Sequence, residues 1–317
     1  MILQVHDLRI GFGPLRAVDG LSFSVREGEV FAIIGESGSG KSLTGMSVLG
    51  LLPPQAHASG SVRLGDDEIL GRSEKDLRQL RGRAVGVVYQ DPLSALNPVW
   101  PVGAQIAEAL RTHGLADRRT AARRAMALLE QVHIPAPARV ARAYPHEISG
   151  GMRQRAMIAM AIACGPRLLI ADEPTTALDV TIKAQILDLL LELRRGFGLA
   201  IVLITHDMGV VAEVADRILV MYAGRAVEIG PAAQILDRPA HPYTRALLTS
   251  AMIAEAPPKS EVRAISGTAP RLDARPDGCA FHPRCPHAAD VCRVQEPALR
   301  PRDGADVACH FPDVAAA

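Results

Sequence analysis

The sequence lacks a long apolar run. No stretch of its 317 residues approaches the roughly 18 apolar residues that a membrane-spanning helix needs. The first thirty residues alternate apolar side chains with Asp, Arg and Glu, so they do not form the apolar core of a signal peptide. We therefore expect a chain that neither crosses a membrane nor is exported.

The sequence also lacks an excess of either charge. Its 35 basic and 34 acidic side chains leave a net charge of +1. A nucleic-acid-binding protein that relies on a strong positive field is therefore disfavoured, and we expect no nucleic-acid partner. Hydrophobic residues are 48% and charged residues 22% of the chain, which is typical of a globular protein.

Cysteine and proline are concentrated towards the C-terminus. Four of the five cysteines lie in the last forty residues, and eleven of the 23 prolines lie at or after Pro239. The odd cysteine count favours a reducing compartment over a disulfide framework. The length fits about two domains. Because the composition changes near residue 238, we predict a main domain over 1–238 and a smaller extension over 239–317.

A glycine-rich segment, GESGSGKS, joins an apolar run at 30–35 to a predicted helix at 41–52. This context is typical of the phosphate-binding P-loop, because backbone N–H groups and a helix N-terminus then face phosphate oxygens. A flexible turn is the weaker alternative. Lys41 would reach the β- and γ-phosphates of a nucleotide, and Ser42 would offer its hydroxyl to Mg²⁺. The predicted phosphate-binding residues are Gly35, Glu36, Ser37, Gly38, Ser39, Gly40, Lys41 and Ser42.

Polar side chains follow three further apolar runs. One run ends in Asp172 and Glu173. Asp172 is predicted to support Mg²⁺, and Glu173 to orient and deprotonate an attacking water. Gln90 and His206 follow the other two runs, and the Gln90 amide oxygen can ligate Mg²⁺ or hold a water. A structural histidine and simple strand-end polarity are the alternatives for these two residues.

A second glycine turn occurs in HEISGGMRQR, over 146–155. Ser149 is a good N-cap residue, so helix capping is the simplest interpretation. Gly150 and Gly151, however, expose backbone amides at a predicted helix N-terminus, which is the anion-binding chemistry that the P-loop already supplies. If this segment does bind an anion, one ATP does not obviously need both it and the P-loop.

In the order and spacing of these motifs, the chain resembles the ATP-binding subunits of ATP-binding-cassette (ABC) transporters. GESGSGKS resembles their Walker A motif, LLIADE the Walker B motif, ISGGM the signature motif and TALD, over 176–179, the D-loop; Gln90 resembles the Q-loop residue and His206 the switch histidine. The resemblance implies an α/β fold with a RecA-like P-loop core and an antiparallel β subdomain. It further implies a helical subdomain at about 92–163 and a small cysteine-rich C-terminal extension.

The same resemblance implies ATP hydrolysis that requires Mg²⁺. In similar proteins two cassettes pair head to tail, so Ser149, Gly150 and Gly151 would contact the γ-phosphate of ATP bound by the partner's P-loop. Phe12 matches the aromatic residue that stacks on adenine in this family, and core packing is its alternative. This pairing would give the second glycine turn, at 149–151, a phosphate to bind.

Longer segments resemble the peptide-importer branch of the family, close to the D-type subunits of dipeptide and oligopeptide permeases. These segments include HPYTRALL at 241–248 and GCAFHPRCP at 278–286. The resemblance implies a peripheral subunit on the cytoplasmic face of the membrane. Its implied partners are two transmembrane permease subunits, a second ATPase subunit and an extracytoplasmic substrate-binding protein.

Three less favoured functions are kept open. Nickel or another small solute would replace peptide as the cargo of the same kind of transporter. A non-transport ABC ATPase usually carries a long coiled-coil insertion or two cassettes in one chain, and the sequence has neither. A P-loop kinase that phosphorylates a small molecule would have no use for ISGGM, TALD or His206.

Cys279, Cys285, Cys292 and Cys309 follow one another with the spacing x5, x6 and x16. By itself this spacing indicates only a soft-metal site of four thiolates. Some D-type subunits are similar in carrying a 4Fe-4S cluster at this place, so the resemblance implies such a cluster here. A Zn²⁺ site or free thiols are the alternatives. Cys164 lies among apolar residues and is expected to pack as a small hydrophobe.

Overall fold

The computed structural model describes residues 1–176, 178–253 and 265–312. Its strands are β1 (Leu3–Phe12), β2 (Leu15–Val25), β3 (Val30–Ile34), β4 (Ala56–Leu64), β5 (Asp67–Glu68), β6 (Val85–Val88), β7 (Leu168–Asp172), β8 (Ala200–Ile204), β9 (Arg217–Tyr222), β10 (Arg225–Pro231), β11 (Arg300–Arg302) and β12 (Ala305–Val307). Its α-helices are α1 (Lys41–Leu49), α2 (Glu74–Leu80), α3 (Pro92–Ala95), α4 (Val102–Thr112), α5 (Arg118–Gln131), α6 (Pro137–Val140), α7 (Gly150–Ile162), α8 (Val180–Phe197), α9 (Met208–Val214), α10 (Ala232–Asp237), α11 (Pro242–Ile253) and α12 (Asp290–Val294). Single 3-10 turns lie at Pro145–Glu147 and His282–Arg284.

The central sheet has eight strands in the order β11-β12-β10-β9-β3-β8-β7-β6, and the last five of these are parallel. Strands β3 and β8 are apolar and buried at every position, as expected where helices or another sheet cover both faces. The carboxyl ends of parallel strands meet at one edge of a sheet, which is where such folds bind ligands. The predicted α/β fold class is confirmed.

A second, antiparallel sheet has the order β2-β1-β4-β5. Buried and exposed residues alternate along much of β1, with Leu3, Val5, Leu8 and Ile10 facing the core. This period of two is typical of a sheet with one buried face. The apolar face packs with α1 and the central sheet in one core cluster.

Helices α3 to α7 lie between β6 and β7, within the segment at about 92–163 that the sequence predicts to be helical. The Asp117 side chain caps α5 by accepting from the Thr120 N–H, and Ser149 caps α7 in the same way. These helices share an apolar core that includes Ile106, Leu129 and Met157. Side-chain caps thus begin the two longest of these helices, and apolar packing holds them on the sheet.

The C-terminal extension continues the central sheet. Strand β12 pairs with β10, so that Glu228 lies opposite Val307, and β11 pairs with β12. Two further side chains of the extension, Tyr243 and Phe281, pack against Tyr222 of β9. The extension is therefore part of the same packed unit as the rest of the chain. The boundary near residue 238 stays a prediction, and residues 254–264 and 313–317 lie outside the described part of the chain.

Helix α1 is shorter than the sequence predicts. It ends at Leu49 rather than at residue 52, because Gly50 has a left-handed backbone with φ 61. The Gly50 N–H bonds back to the Ser47 carbonyl oxygen over 3.1 Å. The helix is thus stopped by glycine before it reaches the prolines. Among the described helices, none is both long and apolar enough to cross a bilayer.

Candidate nucleotide-binding site

The P-loop connects β3 to α1, and two of its glycines are required by the backbone. Gly35 has φ 149, and a Cβ there would lie 2.2 Å from the Met221 carbonyl oxygen. Gly40 has φ 97, and its Cβ would lie 2.9 Å from the Ala17 carbonyl oxygen. Glycine is therefore needed at both ends of a loop that leads directly into a helix N-terminus, where anions bind.

Lys41 is the buried cation of this site. Its side chain donates to the carbonyl oxygens of Gly35, over 2.7 Å, and Glu36, over 2.9 Å. Burial lowers the pKa of Lys41, and the carboxylates of Glu173 and Asp172 oppose that shift. Nearby, the buried Ser39 hydroxyl has no hydrogen-bond partner within the described residues. An ammonium and an unused hydroxyl suit the oxygens of a phosphate.

Ser42 and Asp172 meet where α1 begins and β7 ends. The Ser42 hydroxyl donates to Asp172 Oδ1 over 3.3 Å. Burial raises the pKa of Asp172, and the hydrogen bond from Ser42 partly offsets that rise. Adjacent hydroxyl and carboxylate oxygens are the ligands that Mg²⁺ prefers, so these two residues fit the predicted metal.

Glu173 is the most heavily hydrogen-bonded side chain of the site. Its Oε2 accepts from Gln90 Nε2 and from the Thr176 hydroxyl, each over 2.9 Å. Its Oε1 lies 3.0 Å from His206 Nδ1, which must carry the proton because an ionised carboxylate only accepts. The backbone of Glu173 has φ 48, a strained value for a non-glycine residue. The strained backbone and the three hydrogen-bond partners fix the orientation of this carboxylate.

The same contacts tune the charge of Glu173. Burial alone would raise its pKa, but the hydrogen bonds from His206 and Thr176 hold the pKa below the ordinary glutamate range. The group is therefore ionised at neutral pH and can accept a proton from a water molecule. Gln90 and His206, which the sequence places at separate strand ends, are brought together on this carboxylate.

A cavity of about 590 Å³ opens beside the P-loop. Phe12, Gln90 and Glu173 line it together with P-loop residues 36–42, so Phe12 lies where the sequence predicts an adenine contact. Stacking on adenine stays a prediction. Residues 269–272 of the C-terminal extension also line the cavity, which the sequence does not predict.

The signature residues lie elsewhere. Ser149 is the N-cap of α7 and accepts from the Met152 N–H over 3.3 Å, so the capping interpretation is confirmed. Among the described residues that line the P-loop cavity, none belongs to 149–151. Ser149 and Gly150 are exposed, whereas a Cβ on Gly151 would lie 3.0 Å from Ile182. An anion-binding role for these three residues stays a prediction.

Comparisons with known proteins agree with this geometry. Residues 18–176 match the family model described as ABC transporter, and residues 227–292 match the model for the oligopeptide/dipeptide transporter C-terminal region. The chain is 49% identical to the dipeptide transport ATP-binding protein DppD of Escherichia coli strain K12, over 98% of this chain and 97% of that one. The chain belongs to the ATP-binding subunits of ABC transporters. Within them it falls in the dipeptide and oligopeptide branch.

Two further ABC proteins extend the comparison. The chain is 46% identical to the oligopeptide transport ATP-binding protein OppD of Salmonella typhimurium, over 94% of this chain and 90% of that one. It also resembles a solved dimeric ABC cassette in a post-hydrolysis state with ADP and phosphate, with a TM-score of 0.65 and 26% identity. This match covers 73% of this chain and 98% of the solved chain. The ABC ATPase fold is thus established.

The four cysteines of the extension line one small pocket, together with Phe281, Phe311 and the histidines at 241, 282, 287 and 310. All four are free thiols. Burial raises the pKa of Cys279 and Cys285, and raises that of Cys309 to about 11. Within the described residues, no group of three or more His, Cys, Asp or Glu side chains is arranged to hold a metal ion. The predicted metal site is therefore not confirmed, although the four thiols do lie together.

Three side chains near the ABC nucleotide site are not predicted by the sequence. Thr176 bonds to Glu173, and the side chains of Tyr243 and Arg284 contact Glu36 of the P-loop. Tyr243 and Arg284 lie in the segments HPYTRALL and GCAFHPRCP, but only spatial proximity gives them a place at this site. Ala177 of the predicted D-loop lies outside the described residues.

Proposed function

We infer that this protein is the ATP-hydrolysing subunit of an ABC importer for dipeptides or oligopeptides. The observation that carries the catalytic part is Glu173, held by Gln90, Thr176 and His206 beside the P-loop cavity. The cargo class rests on the similarity to dipeptide and oligopeptide transport ATP-binding proteins over nearly the whole chain. Hydrolysis converts ATP and water to ADP and phosphate.

Glu173 acts as the general base. Its carboxylate takes a proton from a water molecule, the water oxygen forms a bond to the γ-phosphorus, and the bond from that phosphorus to the β-γ bridging oxygen breaks. Gln90 and His206 orient the carboxylate through their hydrogen bonds. Because the pKa of Glu173 is lowered, the base is ready in its ionised form at neutral pH.

Lys41 and the P-loop backbone bind the phosphates. To reach a phosphate, the Lys41 ammonium exchanges the carbonyl oxygens of Gly35 and Glu36 for phosphate oxygens. Ser42 and Asp172 would hold Mg²⁺, with Gln90 as a further candidate ligand. When bound, Mg²⁺ neutralises charge that develops on the phosphate oxygens. Phe12 is proposed to stack on the adenine base.

The partners follow from the exposed surfaces and the family. A second cassette would pair head to tail with this one, and its ATP would meet Ser149, Gly150 and Gly151, of which Ser149 and Gly150 are exposed. Leu93, Val99 and Trp100 expose 53%, 72% and 45% of their surface after the Q-loop residue, where an apolar contact with two permease subunits is proposed. The subunit would thus lie on the cytoplasmic face of the membrane and serve an extracytoplasmic substrate-binding protein.

The function is tested in the assembled transporter reconstituted in vesicles. We expect a dipeptide or oligopeptide delivered by the substrate-binding protein to stimulate ATP hydrolysis and to accumulate inside. Lys41→Ala should abolish both, because it removes the cation that binds the phosphates. Glu213→Gln, a change of an exposed carboxylate on α9, is the matched control and should leave both unchanged. Uptake of nickel but no peptide would favour the alternative cargo.

We further propose that Cys279, Cys285, Cys292 and Cys309 hold a 4Fe-4S cluster. One structural fact supports this proposal: the four thiols line one pocket. Four cysteine thiolates are the usual ligands of such a cluster. The odd cysteine count favours a reducing compartment, where disulfides are a poor way to stabilise so proline-rich an extension.

A further inference from the structure

The C-terminal extension contacts the P-loop at Glu36, the second residue of GESGSGKS. The Arg284 guanidinium donates to both carboxylate oxygens of Glu36, over 2.6 Å to Oε2 and 2.9 Å to Oε1. The Glu36 backbone N–H donates to the Tyr243 hydroxyl over 2.8 Å. Two side chains from the extension therefore fix both the backbone and the side chain of one P-loop residue.

Arg284 is itself held rigidly. Only 5% of its side chain is exposed, and its Nε donates to the Ser266 carbonyl oxygen over 2.9 Å. The guanidinium also lies over the rings of Tyr222 and Phe281, at 5.8 Å and 5.9 Å from their centroids. A guanidinium that is stacked and bonded on several sides loses little freedom when it pairs with a carboxylate. The ion pair is therefore ready before any nucleotide binds.

Glu36 needs a cationic partner because of where it lies. It lines the same cavity as Lys41, and its carbonyl oxygen accepts a hydrogen bond from the Lys41 ammonium over 2.9 Å. An unpaired carboxylate here would repel a triphosphate and would compete for Lys41. The charge on Arg284 removes that repulsion, while Tyr243 keeps the start of the loop in place.

We propose that Arg284 and Tyr243 are positioning residues for ATP, which neutralise and hold Glu36 so that the P-loop is preorganised for the triphosphate. This proposal rests on the proposed ATPase function, and it gives the C-terminal extension a part in nucleotide affinity. Residues 269–272 of the same extension line the nucleotide cavity, which agrees with such a part. Neither positioning residue touches the reacting atoms.

The test measures kcat and KM for ATP in the assembled transporter. Arg284→Gln should raise KM about five-fold or more and leave kcat at saturating ATP within about two-fold, because the loss lies in binding and not in the chemical step. Tyr243→Phe should raise KM by a smaller factor. In the background of Glu36→Gln, where there is no charge to neutralise, Arg284→Gln should raise KM by less than about two-fold.

Controls separate this inference from the function itself. Arg300→Gln changes an exposed arginine of the same extension and should leave KM unchanged. If Lys41→Ala leaves ATP binding intact, the proposed nucleotide site is wrong. If Lys41→Ala abolishes binding but Arg284→Gln leaves KM unchanged, or raises it equally with and without Glu36, only the present inference is overturned. Should Arg284→Gln not fold, Arg284→Met, which also removes the charge but keeps an unbranched stem, replaces it, and an unchanged KM there overturns the inference too.

Discussion

The nucleotide site and the cysteine pocket are linked by one aromatic cluster, formed by Tyr222, Tyr243 and Phe281. Tyr222 lines the P-loop cavity, and Phe281 lines the cysteine pocket. In the nucleotide site the acids already have hydrogen-bond donors: Glu173 has three side-chain partners and Asp172 has Ser42. In the cysteine pocket the thiols lie among aromatic and histidine side chains, and burial raises the pKa of three of them.

The contrast bears on how each site would receive the ligand proposed for it. Hydrogen bonds from its protein partners keep the pKa of Glu173 low, so the proposed base is ionised before the substrate binds. The thiols become good ligands only as thiolates, which burial disfavours unless a metal supplies the positive charge. The nucleotide site is therefore prepared by the chain, whereas the cysteine pocket is expected to depend on what it binds.

The strongest effect is expected in the cysteine pocket. Protein purified without oxygen should be brown and contain about four irons per chain, and Cys285→Ser should lose the colour and make residues 278–310 sensitive to protease. Cys164→Ser is the matched control, because Cys164 is a partly buried thiol that does not line the pocket. A colourless preparation with one zinc would support the zinc alternative, and a preparation without metal would contradict both metals.

A second effect shows whether the nucleotide site is complete in one chain. Ser149→Asp keeps an N-cap acceptor for α7 but adds a negative charge where the partner's γ-phosphate is proposed to lie. We expect ATP hydrolysis by the assembled transporter to fall about ten-fold or more, while the Kd of the isolated subunit for ATP changes less than about two-fold. Ser149→Asn, a neutral cap, is the control. An equal loss of ATP affinity in the isolated subunit would contradict action across the dimer. Gly151 is a less suitable position for this test, because a side chain there would contact Ile182 and could disturb the packing of the helix.

A weaker effect is expected on the pH dependence of kcat. Hydrogen bonds from His206 and Thr176 lower the pKa of Glu173, so kcat should hold to a lower pH than an ordinary glutamate would allow and fall as Glu173 is protonated. Because burial alone raises this pKa, His206→Ala should move the acid limb of the profile to higher pH. His57→Ala, at an exposed site on β4, is the control. An unshifted limb in His206→Ala would show that His206 does not tune the base.

Much of the nucleotide site could be predicted because its chemistry is local in the sequence. Each part of the site follows an apolar strand: GESGSGKS, Asp172 with Glu173, Gln90 and His206. Parallel strands bring their carboxyl ends together at one edge of the sheet. The partners of Glu36 could not be predicted in this way. Tyr243 and Arg284 are 207 and 248 residues away along the chain, so no periodicity or spacing links them to the P-loop.

The strands of the C-terminal extension also could not be predicted from the sequence. Strands β11 and β12 have three residues each, which is too short for an alternating pattern to be recognised in the sequence. They form because β10 offers an edge to pair with, which is a tertiary effect. The end of α1 is different because it is set locally: the sequence predicts a stop at proline, but the left-handed Gly50 ends the helix earlier.

The mechanism depends above all on Glu173 as the base that deprotonates the attacking water. Single-turnover hydrolysis of ATP by the assembled transporter carrying Glu173→Gln should be slowed by roughly 10² or more, with ATP binding retained and an ATP-bound cassette dimer accumulating, because glutamine keeps the shape of the side chain but cannot accept the proton. The control Glu213→Gln should hydrolyse ATP at the normal rate. Normal single-turnover hydrolysis by Glu173→Gln would contradict this assignment.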